Sequence, residues 1–167
     1  MDVFDILDRL VAFPSVAGKP NGDIAGWIEA YLAGHGARVT VLPGPEGDRF
    51  NLFATIGPAD VPGYILSGHM DVVPAGEPQW SSAPFALRRE GERLYGRGTT
   101  DMKGFLAAVL AAVPTLAKLR LARPIPAQTQ SLGIVCGRKG FWQTFDRFSP
   151  RLHQTAVGQF RDSQSRK

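Results

Sequence analysis

The 167-residue sequence predicts an α/β fold in which helices flank a mixed sheet. Three observations support this prediction. Two segments near the N-terminus space their apolar residues as amphipathic helices do, and short apolar runs separated by proline and glycine follow them. A longer apolar segment after residue 104 then has the length of a helix that packs on a sheet.

Three helices are predicted. Residues 3–11 repeat apolar positions at helical spacing and end before Pro14, and residues 24–32 repeat the pattern and end at Gly34. Residues 105–119 are rich in small apolar side chains and contain Pro114. Because this third segment is too short and too interrupted to span a bilayer, we expect it to pack on the sheet and expect no membrane association.

Five short strands are predicted between the second and third helices. Each is bounded by glycine, proline or other turn residues. The last two form a hairpin around Glu90-Gly91-Glu92; the predicted strands are residues 38–42, 51–56, 64–67, 86–89 and 93–95.

The C-terminal part of the chain has a different composition. Residues 1–120 contain 11 Lys and Arg against 13 Asp and Glu, whereas residues 121–167 contain 8 against 2. After Pro124 the periodicity fades, apart from a possible short strand at 132–136. We therefore divide the chain into an N-terminal domain portion, 1–123, and an irregular basic tail, 124–167, which we expect to be disordered. A reading-frame change near Ile125 would explain the abrupt transition, and translating the other frames would test it.

Two polar motifs each follow an apolar run that ends a predicted strand. Ser67-Gly68-His69-Met70-Asp71 follows the third strand, and Gly96-Arg97-Gly98-Thr99-Thr100-Asp101 follows the fifth. Residues i and i+2 of an extended chain point to the same side, so His69 and Asp71 share one face. A metal-bound histidine usually needs a carboxylate or carbonyl to hold its ring. We assign His69 as a metal ligand, Asp71 as the catalytic group behind it, and Asp101 as a carboxylate able to bridge two cations.

Each motif also has an ordinary structural interpretation. His69 alone suits a strand-end histidine bonded to backbone, and Asp101 alone suits the N-cap of the following helix. The glycines at 96, 98 and 104 suggest a phosphate loop, but neither Gly-x-x-x-x-Gly-Lys-Ser/Thr nor Gly-x-Gly-x-x-Gly occurs there. The conjunction of the two motifs favours the metal site.

The two motifs, in this order and spacing, resemble the M20 zinc aminoacylase and carboxypeptidase superfamily. The resemblance runs from about residue 2 to residue 125 and includes Trp80 and Pro84-Phe85 between the motifs. Within that superfamily, Gly98-Thr99-Thr100-Asp101-Met102-Lys103-Gly104-Phe105 looks most like the acetylornithine deacetylase branch. The implied fold is the N-terminal part of a zinc-peptidase-like catalytic domain.

This resemblance implies a two-metal hydrolase that removes acetate from N2-acetyl-ornithine, a small N-acyl amino acid, in arginine biosynthesis. His69 would bind one Zn²⁺ or Co²⁺, Asp101 would bridge both ions of a complete site, and Asp71 would be the catalytic aspartate. The peptide after the bridging aspartate, Asp101-Met102, is expected to be cis. Family members also form homodimers through an inserted lid domain.

The sequence departs from the family pattern in its second half. The family supplies a Glu-Glu pair, one glutamate acting as general base, but this chain has no glutamate after Glu92. The later acidic ligand, the final histidine and the lid are also missing, so we expect this chain to be nearly inactive. With one cysteine, Cys136, and an acidic start lacking a signal-peptide pattern, the expected location is the cytoplasm.

Three alternative functions stay open. One is a non-catalytic remnant of the family, and a second is another acyl-amino-acid hydrolase such as a succinyl-diaminopimelate desuccinylase. The third is a nucleic-acid-binding protein, since the basic tail interleaves arginine and lysine with aromatic residues. Metal content and acetate release would separate these alternatives.

Overall fold

A computed structural model of the chain describes residues 1–58, 60 and 62–129. In these residues the chain forms three α-helices, namely α1 (Val3–Val11), α2 (Gly22–Gly34) and α3 (Gly104–Leu116). It also forms six strands, namely β1 (Arg38–Pro43), β2 (Phe50–Ile56), β3 (Leu66–Gly68), β4 (Arg88–Glu90), β5 (Arg93–Tyr95) and β6 (Ile125–Thr129). None of the helices in this part of the chain is long and apolar enough to cross a membrane.

Four strands form one mixed sheet in the order β1-β2-β6-β3. β2 pairs antiparallel with both β1 and β6, whereas β3 runs parallel to β6. β4 and β5 form a separate antiparallel hairpin. The α/β class predicted from the sequence is confirmed, and the mixed sheet places the end of β3, where His69 follows, at one edge.

The helices cover the sheet with their apolar faces. Asp2 caps α1 by accepting hydrogen bonds from the amides of Phe4 and Asp5, while the Asp5 carboxylate accepts from the Asp2 amide. α1 packs against α3, and α2 packs on β1 and β2. Alternate residues of β2 enter the same core, since Leu52, Ala54 and Ile56 are buried. The core therefore lies between the sheet and the helices, beneath the site.

Predicted and observed elements agree for the helices, the first two strands and the hairpin, with ends that differ by a few residues. The third strand differs more, because it begins at Leu66 and leaves Tyr64 and Ile65 exposed. Its register is set by pairing with β6, in which Leu66 lies opposite Ala127. The prediction included Tyr64 and Ile65 because both are apolar, but neither pairs with β6.

We expected no regular structure directly after Pro124, but the structure places β6 at Ile125–Thr129, inside the sheet. The sequence signal for this strand is weak because it is short and contains Pro126 and polar residues. Pro126 lies outside the segment paired with β3, so its missing N–H leaves that ladder intact. Residues 130–167, including the apolar run at 132–136 and most of the proposed basic tail, lie outside the described residues.

Candidate functional site

His69 lies directly after β3, where the chain leaves the sheet. Met70 is fully buried, while the side chains of His69 and Asp71 are each about one-third exposed, at 37 % and 35 %. His69 Nδ1 donates a hydrogen bond to the backbone carbonyl of Asp71 (3.0 Å) and lies 3.3 Å from the Asp71 carboxylate. The sequence analysis placed Asp71 behind His69 as a catalytic group, and in the structure the backbone carbonyl of Asp71 lies closer to the ring than its carboxylate does.

The segment that carries His69 is fixed from below by the loop that follows α1. The Ser15 hydroxyl donates to the Met70 carbonyl (2.5 Å), and the Val72 amide donates to the Ser15 carbonyl (2.9 Å). The Ala17 amide in turn donates to the Val72 carbonyl (2.9 Å). These bonds connect two segments more than fifty residues apart in the sequence. They fix the backbone on which His69 is carried.

Asp101 lies in a wide turn, Thr99–Lys103, that precedes α3. Asp101 and Met102 have non-helical backbone angles, and the peptide bond between them is cis, as the family resemblance implied. The N-cap of α3 is Lys103, which makes no side-chain capping bond. Asp101 therefore does not cap α3, contrary to the ordinary structural interpretation of this residue.

The turn brings Asp101 to His69. Asp101 Oδ1 lies 2.9 Å from His69 Nε2, and the Asp101 side chain is 85 % exposed. Burial lowers the pKa of His69, but hydrogen bonds to the Asp71 backbone and the Asp101 carboxylate, with the charges of both carboxylates, raise it above its ordinary value. The pair therefore stabilises a proton on Nε2, the position a metal would take.

A divalent cation fits this donor pair as a partial ligand set. Two ligands of one tetrahedral zinc ion, each about 2.0–2.1 Å from the metal, lie about 3.3 Å apart, close to the observed 2.9 Å. Nδ1 donates to a carbonyl, which leaves Nε2 as the coordinating nitrogen. In the part of the chain that the structure describes, no group of three or more His, Cys, Asp or Glu could hold a metal. Within the described residues, the pair thus offers a cation two donors, fewer than a complete ligand set.

An open cavity of about 290 Å³ lies beside the pair. Both motifs contribute to its wall, which is also lined by Ala17 from the loop after α1; the lining residues include His69, Asp71, Val73, Arg97, Thr100 and Asp101. Arg97 is held at this wall because its guanidinium pairs with Glu77 and lies over the Trp80 ring, 5.1 Å from its centroid. The cavity can admit a small polar molecule next to the donor pair.

Glycines allow the two motifs to approach each other. Gly98 has φ +87°, and a Cβ there would lie 2.6 Å from Val72 Cγ1. A Cβ on Gly68 would lie 2.9 Å from Leu106 Cδ2 in α3. Close packing of the two motifs therefore accounts for Gly98 without a phosphate ligand.

Lys103 is a residue of the site for which the sequence analysis proposed no role. Its side chain is fully buried, and its ammonium donates to the Phe13 carbonyl (2.7 Å). Burial lowers the pKa of Lys103 to about 8, and the nearby charge of Asp71 opposes that shift. The available signal was a lysine at the start of a segment whose other residues are almost all apolar.

Comparisons with known proteins match the same region. Residues 65–128, which contain both motifs, match the model of peptidase family M20/M25/M40. The acetylornithine deacetylase of Yersinia pseudotuberculosis is 35 % identical over 132 residues, covering 72 % of this chain and 34 % of that protein. The succinyl-diaminopimelate desuccinylase of Novosphingobium aromaticivorans is 40 % identical over 117 residues, covering 68 % and 31 %.

A solved structure gives the same result for the fold. The M20 family metallo-carboxypeptidase Sso-CP2 from Sulfolobus solfataricus has a TM-score of 0.66 and 26 % identity, covering 77 % of this chain and 30 % of that one. The chain spans about a third of the length of the curated relatives it matches. The two motifs, their geometry and the matched fold agree, and the resemblance to the M20 family predicted from the sequence is confirmed for the N-terminal part of the chain, where residues 65–128 match the model of peptidase family M20/M25/M40.

Proposed function

We propose that His69 and Asp101 are two ligands of a divalent metal centre in an amide hydrolase of the acetylornithine deacetylase type. The observation that carries this proposal is the 2.9 Å separation of His69 Nε2 and Asp101 Oδ1 beside an open cavity. The reaction is hydrolysis of N2-acetyl-L-ornithine to L-ornithine and acetate. Similarity to curated deacetylases and to an M20 metallo-carboxypeptidase supports the reaction class.

Each residue of the pair has a separate part in the proposed chemistry. A Zn²⁺ or Co²⁺ held by His69 and Asp101 would supply Lewis-acid polarisation of an amide carbonyl and would make a water molecule more acidic. His69 presents Nε2 because its Nδ1 proton is held by the Asp71 carbonyl. The exposed Asp101 carboxylate has a second oxygen that is able to bridge to another cation. Asp71 keeps negative charge behind the imidazole, which favours its ligand orientation.

Cobalt binding tests the proposed ligands. Visible absorption of Co²⁺ titrated into the full chain should show saturable binding, which should weaken at least tenfold in His69→Ala and in Asp101→Ala. Glu92→Ala, which removes an exposed carboxylate of the hairpin turn, is the matched control and should bind as the unaltered chain does. Equal Co²⁺ affinity in all four proteins would refute the assignment of these ligands.

A second candidate substrate follows from the 40 % identity to a succinyl-diaminopimelate desuccinylase. Acetate release from N2-acetyl-ornithine and succinate release from N-succinyl-diaminopimelate should be measured on one cobalt-loaded preparation. Faster acetate release supports the deacetylase, and faster succinate release supports the desuccinylase. Metal binding without either product would favour the non-catalytic remnant, the result expected of a chain that has no glutamate after Glu92 to act as general base.

A further inference from the structure

Arg97 is the only lysine or arginine among the described residues that line the cavity beside the donor pair. The acidic residues of the same wall are Asp71 and Asp101, which both belong to the candidate metal site. These two carboxylates attract a cation and repel an anion. Arg97 therefore adds a property that the metal site lacks, because it gives the wall a group that attracts negative charge.

The backbone fixes where the Arg97 side chain begins. The Arg97 amide donates to the Pro84 carbonyl (2.6 Å), which ties this residue to the segment between the two motifs. Gly98 follows with φ +87° and leads into the turn that carries Asp101, four residues after Arg97. One short segment thus supplies the wall with both a guanidinium and the exposed carboxylate of the donor pair.

Two neighbours hold the guanidinium in place before any ligand arrives. Arg97 Nη2 donates to Glu77 Oε1 (2.5 Å), and Trp80 Nε1 donates to the other oxygen of the same carboxylate (3.0 Å). The guanidinium also lies over the Trp80 ring, 5.1 Å from its centroid. Because these contacts restrict the side chain in advance, less conformational entropy is lost when it binds an anion.

Glu77 occupies only part of the guanidinium. Among the described residues, the guanidinium bonds only to Glu77, through Nη2, although it has several N–H donors. Nε is buried and has no hydrogen-bond partner in this part of the chain, while the whole Arg97 side chain is 19 % exposed. A ligand in the cavity would therefore bond to the terminal nitrogens rather than to Nε. These nitrogens suit a planar carboxylate.

We propose that Arg97 binds the carboxylate of an N-acyl amino acid in this cavity, while the amide of the same molecule faces His69 and Asp101. The choice of ligand rests on the proposed function. Both candidate substrates, N2-acetyl-ornithine and N-succinyl-diaminopimelate, carry a carboxylate on the carbon next to the amide nitrogen. Arg97 thus determines specificity, because it favours amides that carry this carboxylate over amides that lack it.

A structural role is the alternative for Arg97. In that role the guanidinium serves only to join Glu77 and Trp80 to the turn, and its loss would change the shape of the cavity. Binding of any small amide would then weaken, whether or not the amide carries a carboxylate. Carboxylate recognition instead predicts a loss confined to ligands that have this group.

The test compares two probes that differ only in the carboxylate, N2-acetyl-L-ornithine and N-acetylputrescine. Their binding to the full chain in chelator is followed by 15N-edited NMR of the Trp80 indole N–H, which lies beside Arg97. In the unaltered chain, N2-acetyl-L-ornithine should bind about tenfold more tightly or better, as for a charge-assisted hydrogen bond. In Arg97→Met, which removes the guanidinium, the ratio of the two dissociation constants should lose that factor of about ten.

Two further variants serve as controls. Arg93→Met removes an exposed arginine of β5 that lies outside the cavity wall, and it should leave the ratio within about twofold of the unaltered value. Arg97→Lys keeps the positive charge without the planar pair of donors, so its ratio should lie between those of the unaltered chain and Arg97→Met. If Arg97→Met weakens both probes by the same factor, the role is structural and carboxylate recognition is wrong.

Failure of this inference and failure of the proposed function can be told apart, because the probes are compared without metal. If the chain binds no Co²⁺ but the ratio depends on Arg97, the metal centre is refuted and the carboxylate site stands. If Co²⁺ binds through His69 and Asp101 but the probes bind equally, or neither binds, the role of Arg97 is wrong and the metal centre stands.

A measurement on the unaltered chain covers the case in which Arg97→Met does not fold. The Nε–H signal of Arg97 should shift when N2-acetyl-L-ornithine is added and should stay in place with N-acetylputrescine. An equal response to the two probes would overturn the assignment of the carboxylate to Arg97.

Discussion

Two segments meet at the candidate site, and the chain holds them in different ways. The His69 arm, residues 69–72, is hydrogen-bonded at Met70 and Val72 to the loop after α1. The Asp101 arm, residues 99–103, is a turn held by its own backbone bonds, by the positive φ of Gly98 and by the buried Lys103. The Asp101 carboxylate itself is 85 % exposed and bonds to His69. One arm is therefore fixed by hydrogen bonds to a segment distant in the chain, and the other by close packing beneath an exposed carboxylate.

This difference has a consequence for the chemistry of the pair. His69 is oriented before any ligand arrives, because its ring nitrogen and its backbone neighbours already have partners. Asp101 depends on His69 for its orientation and is free to change partners when a cation binds. Four substitutions, ordered from the largest expected effect on stability to the smallest, test whether the two arms are supported in this way.

The packing of the Asp101 arm is tested by Gly98→Ala. A Cβ at this position would lie 2.6 Å from Val72 Cγ1, and φ is +87°, so steric overlap adds to backbone strain. We expect a loss of about 2–5 kcal/mol in the free energy of unfolding, measured by urea denaturation. Gly36→Ala has a similar φ of +83° with nothing within 4 Å, and should lose about 1–2 kcal/mol. Equal losses would show that packing against Val72 contributes nothing.

The hydrogen-bonded support of the His69 arm is tested by Ser15→Ala. The change leaves the buried Met70 carbonyl without its side-chain donor, so unfolding free energy should fall by about 1–3 kcal/mol. Ser67→Ala, at an exposed position of β3, should change it by less than about 0.5 kcal/mol. Urea denaturation of both variants makes the comparison, and similar values for the two would contradict a special role for Ser15.

The pH dependence of stability tests the buried lysine. The pKa of Lys103 is lowered by burial to about 8, so the unfolded chain, with an ordinary lysine, binds more protons above that pH. Stability should therefore rise with pH between about 8 and 10.5, relative to Lys103→Met, which lacks this titration. Denaturation midpoints of both proteins in chelator, across that pH range, measure the effect. A constant difference between the two curves would be incompatible with a depressed pKa.

The contribution of the exposed Asp101 carboxylate is tested by Asp101→Asn, which should have the smallest effect on stability. An ion pair with an 85 % exposed partner contributes little, so unfolding free energy at pH 7 should change by less than about 1 kcal/mol. NMR titration should show a lower pKa for His69 in this variant. Burial lowers that pKa, and the substitution removes the Asp101 charge, which raises it.

The sign of the accompanying pH effect follows from the raised pKa of His69. Stability from the protonated ring is fully present below the unfolded pKa of 6.5 and is lost as pH rises through the folded value. In Asp101→Asn this loss should occur at lower pH than in the unaltered chain. An unchanged His69 pKa would show that Asp101 does not act on the ring.

The sequence supported some elements better than others for physical reasons. Residues 3–11 and 24–32 carry a helical period of apolar residues, which depends on local chain geometry and can be read without knowing the fold. β6 has no comparable signal, because its hydrogen-bond partners lie in strands about sixty to eighty residues earlier in the chain. Tyr64 and Ile65 are apolar yet exposed, since pairing with β6 begins only at Leu66.

Some features of the candidate site were also predictable from the sequence, and others were not. The i, i+2 spacing of His69 and Asp71 and the motif around Asp101 identified the ligand candidates from residue type and order alone. Three features needed the tertiary structure: the bond from His69 to the Asp71 carbonyl, the support from Ser15, and the burial of Lys103. Ser15 and Lys103 act on segments more than fifty and about ninety residues away, respectively.

By itself, the sequence determined the α/β class, the helices, the hairpin and the residue types that can bind a cation. Those properties follow from local periodicity and from the chemistry of single side chains. The tertiary structure decided which strand fills the centre of the sheet, that Asp101 meets His69 at 2.9 Å, and that a lysine is buried beneath them. These outcomes depend on contacts between distant segments, whose partners and distances exist only once the chain has folded.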